Sequence, residues 1–128
     1  MQYTSEDLNW AGRLITKNAG LILMMQKAGV GLLAGTDLPP NAENGTVQDE
    51  LVALVKAGLT PLQALKTATR NPAEFLGKLD SVGTVERGRL ADLVLLDANP
   101  LDDIHNTSRI SAVIIQGRLV PRQTDVQP

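Results

Sequence analysis

The chain has no cysteine and a single histidine, His105, among its 128 residues. Without thiols it forms neither disulfides nor thiolate metal sites. A catalytic zinc site uses three protein ligands, of which a single imidazole can supply only one. A protein without cysteine fits a reducing compartment, and we therefore expect a cytoplasmic location.

The sequence also has few aromatic residues, nearly balanced charges and no long apolar run. Tyr3, Trp10 and Phe75 are the three aromatic side chains, too few for a surface that stacks bases. Twelve basic against 14 acidic residues, with the signs interspersed, leave no basic stripe for nucleic acid or anionic lipid. The apolar stretch over residues 19–25 is too short to span a bilayer and lacks the basic flank of a secretory signal. We expect neither a nucleic-acid nor a membrane partner.

The residues that are present suffice for a folded domain. Apolar residues make up 43% of the sequence, and a chain of this length buries about two-thirds of its unfolded surface. Over residues 1–79 the pattern is mainly helical. It predicts a first helix from an N-cap at Ser5 to Gly29, followed by helices that begin at Thr46, Thr60 and Pro72.

A short segment between the first two helices carries the candidate catalytic residue. Residues 30–34 form an apolar run without alternation, which predicts a strand buried on both faces. Gly35 and Thr36 then lead to Asp37, and α/β proteins present catalytic groups where a strand ends in a polar turn. Glu43 and Asn44, in the loop that follows, either line a substrate pocket or belong to a plain polar loop, and we favour the plain loop.

The period changes after residue 79. Short β-branched runs predict strands at residues 82–85, 93–96, 110–115 and 118–120, the last two joined by a tight hairpin at Gln116 and Gly117. Asp92 is expected to fix a turn through backbone hydrogen bonds. His105 is expected to be a solvated surface residue without a metal role. Residues 80–121 thus form a small β part, and residues 122–128 are predicted to be a flexible tail.

Four segments in this order resemble a known family. They are Gly-Leu-Leu-Ala-Gly-Thr-Asp at 31–37, Lys-Ala-Gly-Leu-Thr-Pro at 56–61, Ala-Thr-Arg-Asn-Pro-Ala at 68–73 and Gly-Arg-Leu-Ala-Asp-Leu-Val-Leu-Leu-Asp at 88–97. The series resembles the C-terminal portion of amidohydrolase-superfamily metal-dependent hydrolases, in their imidazolonepropionase-like and dipeptidase-like branches. The resemblance implies an α/β fold: residues 1–79 hold the last strand and helices of a (β/α)8 barrel, which is incomplete here. Residues 80–121 then form part of a small β-sandwich.

The resemblance also implies a chemistry, the hydrolysis of C–N bonds in amides, cyclic amides or peptides. In that family the aspartate at the end of the last barrel strand binds a divalent metal ion, for which zinc is expected, and accepts a proton from water. Asp37 matches this aspartate. The other ligands of the family, mostly histidines, have no counterpart, and Gln48 stands where some relatives have a histidine. We therefore expect Asp37 to hold a metal only in a complete barrel, and the chain alone to bind none and to be inactive.

A lone barrel strand has open backbone edges and apolar faces that need partners. The chain is therefore expected to form a homo-oligomer, to pair with an N-terminal barrel portion, or to repack its helices around the strand. A small-molecule substrate is expected only once the barrel is complete. The alternative is a stand-alone, non-catalytic oligomeric module for binding or assembly, derived from the same fold.

Overall fold

The computed structural model of the chain describes residues 20–37 and 46–121. The predictions for Ser5, for the loop residues Glu43 and Asn44 and for the tail over residues 122–128 lie outside the described residues. Within the described ranges, helices come first and a small antiparallel sheet follows, so this part of the chain is α/β as expected.

The described part contains four α-helices, which span residues 20–27 (α1), Val47–Lys56 (α2), Pro61–Thr67 (α3) and Arg70–Phe75 (α4). Thr46 and Thr60 begin α2 and α3, as predicted, each in a capping box with the residue three positions later. The threonine hydroxyl accepts from the later backbone N–H, and the later side chain accepts from the threonine N–H. These reciprocal bonds satisfy donors that the first helical turn leaves free.

Three helices end at a glycine in the left-handed conformation. Gly29, Gly58 and Gly77 have φ of +76°, +106° and +64°. At the end of α2, the Gly58 N–H donates to the Val55 carbonyl at 3.0 Å, and the next N–H donates to the Leu54 carbonyl at 3.2 Å. This is the Schellman arrangement, which glycine permits because it has no Cβ. The helix end predicted at Gly29 is confirmed.

The prediction that Pro72 opens the fourth helix is wrong. The structure ends α3 at Thr67 and begins α4 at Arg70, so Pro72 lies inside the first turn of α4. Proline is tolerated there because a backbone N–H in the first turn has no intrahelical acceptor. The chain therefore turns at Ala68 and Thr69, before the Asn-Pro pair.

The predicted strand at residues 30–34 does not form a ladder with any described residue. Exposure alternates from residue 31 to residue 37, as in an extended chain, with Leu32 and Ala34 half-buried and Leu33 46% exposed. The prediction of burial on both faces is wrong, because described residues cover one face alone. We call residues 30–37 the extended segment.

The sheet consists of β1 (Leu93–Leu96), β2 (Ile110–Ile115) and β3 (Arg118–Val120), antiparallel in that order. These strands are confirmed, as is the hairpin at Gln116 and Gly117, whose positive φ of 51° and 77° suits a two-residue turn. The prediction of a strand at residues 82–85 is wrong, because the backbone bends at residues 82–84 instead. Gly83 has φ of +89°, and a Cβ at this position would lie 2.5 Å from the Cβ of Ala73. The segment therefore packs directly against α4 and does not pair with a strand.

The core lies between α2, α3 and a 3-10 helix, Ile104–Ser108, that connects β1 to β2. Its buried apolar side chains are Leu51, Leu54, Leu59, Ala64 and Ile104. Ile104 comes from the β part and packs with the helices, so it crosses the boundary expected near residue 79. The division into parts at that boundary stays a prediction.

No helix in the described ranges combines the length and the apolar character that crossing a membrane requires.

Candidate functional site

Asp37, the candidate catalytic residue, ends the extended segment. Its φ of 50° is left-handed, a conformation that aspartate adopts more readily than most residues with a side chain. Leu32, Ala34 and Thr36 are half-buried, whereas Leu33, Asp37 and the glycines at 31 and 35 are exposed. We call the exposed side, residues 31, 33, 35 and 37, the open face. Asp37 is therefore accessible to water.

Two hydrogen bonds connect the extended segment to the turn between α3 and α4. The Ala34 N–H donates to the Thr67 carbonyl at 3.0 Å, and the Asn71 side-chain amide donates to the Leu32 carbonyl at 2.9 Å. Thr67 is 1% exposed, and its hydroxyl donates to the Ala64 carbonyl at 2.7 Å. We call Thr67 and Asn71 the α3–α4 corner. This corner satisfies the Ala34 N–H and the Leu32 carbonyl.

An open groove of about 370 Å³ runs beside the extended segment. Its lining includes Gln26, Val30, Leu33, Asn71, Glu74 and Phe75. Phe75 is 77% exposed, and the carboxylate of Glu74 lies 3.9 Å from the Arg70 guanidinium. Asp37 is not part of this lining, so the groove and the candidate acid are separate features.

The described residues do not fit the divalent ion that the family resemblance implies. Within residues 20–37 and 46–121, no three His, Asp or Glu side chains converge on a point that a metal ion could occupy. A single carboxylate at Asp37 provides one ligand, whereas catalytic zinc sites use three from the protein. No chemical step through a metal follows from these residues alone.

His105 lies away from Asp37, at the start of the 3-10 helix, and its side chain is 65% exposed. Its Nδ1 is 2.7 Å from the Asp103 carboxylate, which also accepts from the His105 backbone N–H at 2.9 Å. The hydrogen bond from the His105 backbone N–H, and after it the one from the His105 imidazole, holds the pKa of the Asp103 carboxyl below its usual range. The prediction of a surface histidine is confirmed, and the pair caps a helix turn.

Asp92 has the structural role that the sequence predicted. Its Oδ1 accepts from the Gln116 backbone N–H at 2.6 Å, and the Gly117 N–H donates to the carbonyl of Ala91 at 3.0 Å. Gln48, which the family resemblance matches to a histidine of some relatives, is half-buried in the first turn of α2.

Asn71 was missed, because the sequence pattern placed the start of the fourth helix at Pro72. One signal for its role was available: an amide side chain directly before a proline, in a stretch that otherwise looks helical. Asparagine side chains readily hydrogen-bond to backbone groups.

Comparison with known proteins covers most of the chain. The sequence profile described as the amidohydrolase family matches residues 10–120. An ochratoxinase of Aspergillus niger is 38% identical over 79 residues, which cover 61% of this chain and 16% of that protein. An imidazolonepropionase of Pyrobaculum arsenaticum is 39% identical over 74 residues, covering 57% of this chain and 18% of that protein.

A solved structure of an Xaa-Pro dipeptidase, with methionine bound in its active site, is 31% identical to the chain. It superposes with a TM-score of 0.71 over 80% of this chain and 25% of that chain. The chain therefore spans between 16% and 25% of the length of these three relatives.

Proposed function

The chain belongs to the amidohydrolase family, and from this premise we propose that it is the Asp37-bearing C-terminal portion of a C–N bond hydrolase. The substrates we propose are amides, cyclic amides or peptides. The similarity to an Xaa-Pro dipeptidase and an imidazolonepropionase supports this class. In the proposed whole enzyme the extended segment is the last barrel strand, and β1–β3 are part of a small sandwich. The absence of cysteine supports a cytoplasmic location.

The observation that carries the proposal is the position of Asp37 at the end of the extended segment and on its open face. A carboxylate there accepts a proton from water as the water attacks a carbonyl carbon, and delivers it to the departing nitrogen. Side chains that would complete a site around Asp37 have no counterpart among the described residues. The role therefore belongs to Asp37 in a barrel that another polypeptide portion completes.

The proposal predicts that the isolated chain does not hydrolyse amides. The purified chain, supplied with zinc, manganese or cobalt, is assayed on N-acyl amino acids, dipeptides and cyclic amides. We expect no turnover above that of the Asp37→Asn variant, since one carboxylate gives neither an activated nucleophile nor an oriented substrate. Metal-dependent turnover that Asp37→Asn abolishes would overturn the view that a second portion is required.

A metal-binding measurement tests the same view without substrate. Equilibrium dialysis against micromolar zinc is expected to show the same weak uptake for the native chain, for Asp37→Asn and for Asp92→Asn. Stoichiometric zinc that disappears in Asp37→Asn and remains in Asp92→Asn would mean that this chain builds a site by itself.

A second candidate function is the stand-alone assembly module, and the exposed apolar residues Val30, Leu33 and Phe75 favour it. Such residues beside a groove are typical of a surface that meets another protein. The genomic sequence ahead of residue 1 separates the two candidates. A His-x-His strand in the same reading frame supports the hydrolase portion, and a native start at residue 1 supports the module.

A further inference from the structure

We propose that Asn71 is a positioning residue, whose side-chain amide fixes the backbone of the extended segment and thereby the place of Asp37. The inference rests on the proposed function, since Asp37 has its role there. The positioning itself is a property of the folded chain.

The two bonds of the α3–α4 corner reach the same edge of the extended segment. Leu32 and Ala34 are two residues apart, and in an extended chain the backbone groups of such residues point in the same direction. The Leu32 carbonyl accepts from Asn71 at 2.9 Å, and the Ala34 N–H donates to Thr67 at 3.0 Å. One acceptor and one donor on this edge are therefore satisfied, so the segment keeps a defined register against the helices.

An asparagine suits residue 71 for reasons of length and donor chemistry. The side-chain amide provides an N–H donor close to its own backbone, whereas an aspartate would place an acceptor against the Leu32 carbonyl. The following Pro72 disfavours a helical backbone at Asn71, yet Asn71 lies within α4. The partly buried bond to Leu32 helps to hold it there.

The corner itself is held by close packing. A Cβ at Gly83 would lie 2.5 Å from the Cβ of Ala73 and 3.0 Å from the Thr69 carbonyl oxygen, so the backbone at Gly83 rests directly on the start of α4. Thr67, on the other side of the turn, is almost fully buried. The corner is therefore a fixed support, and the bonds at Leu32 and Ala34 transmit its position to a point three residues before Asp37.

The test is the variant Asn71→Asp, examined by NMR in the full chain. An aspartate in the first turn of a helix is favoured by the helix dipole. If the only role of Asn71 is as a residue of the first turn of α4, this change is therefore neutral or stabilising. If Asn71 positions the segment, the Ala34 amide is expected to exchange at least about tenfold faster, while the Ala64 amide within α3 is unchanged. The carbonyl carbon resonance of Leu32 is expected to shift as well.

Asn106→Asp is the matched control. The Asn106 side-chain amide donates to the Asn99 carbonyl at 2.9 Å, the same type of bond at the same length, but in the β part. This variant is expected to leave the Ala34 exchange rate and the Leu32 resonance unchanged. Unchanged values in Asn71→Asp too would overturn the proposal.

If Asn71→Asp unfolds the chain, hydrogen exchange of the native chain tests the proposal instead. Protected side-chain amide protons of Asn71 support the proposal, and exchange as fast as in free asparagine overturns it. Neither measurement uses a metal or a substrate. A failure of the proposed hydrolase activity therefore leaves these results intact, and the reverse also holds.

Discussion

At the scale of single residues, Gly83 and Gly88 have almost the same backbone conformation in different surroundings. Their φ values are +89° and +88°. A Cβ at Gly83 would collide with α4, whereas a Cβ at Gly88 would meet no atom within 4 Å. The pair therefore separates the cost of a left-handed backbone from the cost of crowding.

We predict that Gly88→Ala lowers the free energy of unfolding by roughly 1–2 kcal/mol, the cost of a left-handed conformation for an L-residue. Gly83→Ala adds the crowding against Ala73 and is predicted to lower it by roughly 2–5 kcal/mol. Urea denaturation of the two variants measures both values. Equal losses would show that the chain accommodates the extra methyl group at Gly83 by a small shift.

Single residues also show where the sequence sufficed. Asp92 and His105 were predicted correctly, because a turn aspartate and a polar loop histidine depend on near neighbours. Asn71 was missed, since its partner Leu32 lies 39 residues away in the sequence. A bond over that separation leaves no periodic trace. For Asp37, the structure shows an exposed residue at the end of the extended segment, and its catalytic role stays a prediction.

At the scale of elements, α2 and α3 begin with the same motif but differ in one ionisable group. The box of α2 pairs Thr46 with Asp49, and the box of α3 pairs Thr60 with Gln63. The hydrogen bond from the Thr46 hydroxyl, at 2.7 Å, and then the bond from its backbone N–H hold the pKa of the Asp49 carboxyl below its usual range. The start of α2 is therefore sensitive to acid, whereas the box at the start of α3 contains no titrating group.

The sign of this sensitivity follows from the lowered pKa. A carboxyl whose folded pKa is depressed stabilises the fold above its unfolded pKa, and this contribution is lost as the pH falls through the folded value. We predict that NMR titration gives Asp49 a pKa below that of an unfolded aspartate. Thr46→Ala is predicted to return it toward the usual value. Thr60→Ala, the control, should leave the Asp49 titration unchanged, and a similar effect of both variants would contradict the local origin of the shift.

Elements with local signals were predicted well. Threonine caps, terminal glycines and the Gln-Gly hairpin depend on residues within one turn, so α2, α3 and the pair β2–β3 followed from the sequence. The runs at residues 30–34 and 82–85 have strand composition but lack a ladder with any described residue. A strand needs a partner, and its own residues do not reveal whether one is present.

At the scale of the whole molecule, exposed apolar side chains are the main feature. Val94, Leu95 and Ile115 of the sheet are more than half exposed, as are Met24 of α1 and Phe75 of the groove lining. Large exposed apolar patches mark surfaces that associate with other proteins. We therefore keep self-association as a proposal for this chain.

We predict that the chain is larger than its 13.7 kDa monomer mass at micromolar concentration, as measured by size-exclusion chromatography with light scattering. If the groove forms the contact, Phe75→Glu shifts the population toward monomer. Val85→Glu, at a residue that is 83% exposed but outside the groove lining, should have little effect. A monomer of the native chain would refute self-association, and equal effects of the variants would place the contact elsewhere.

Ile104 has a practical consequence for anyone who edits this chain. It is 3% exposed in a cluster otherwise supplied by α2, α3 and Leu59, which lies between these two helices. Removing the β part would leave a cavity in that cluster and lose about 1.5–3 kcal/mol of stabilisation from the burial of Ile104. Transferring the sheet to another scaffold would in turn expose Ile104 to water. A shortened version of the chain therefore has to retain the 3-10 helix that contains Ile104.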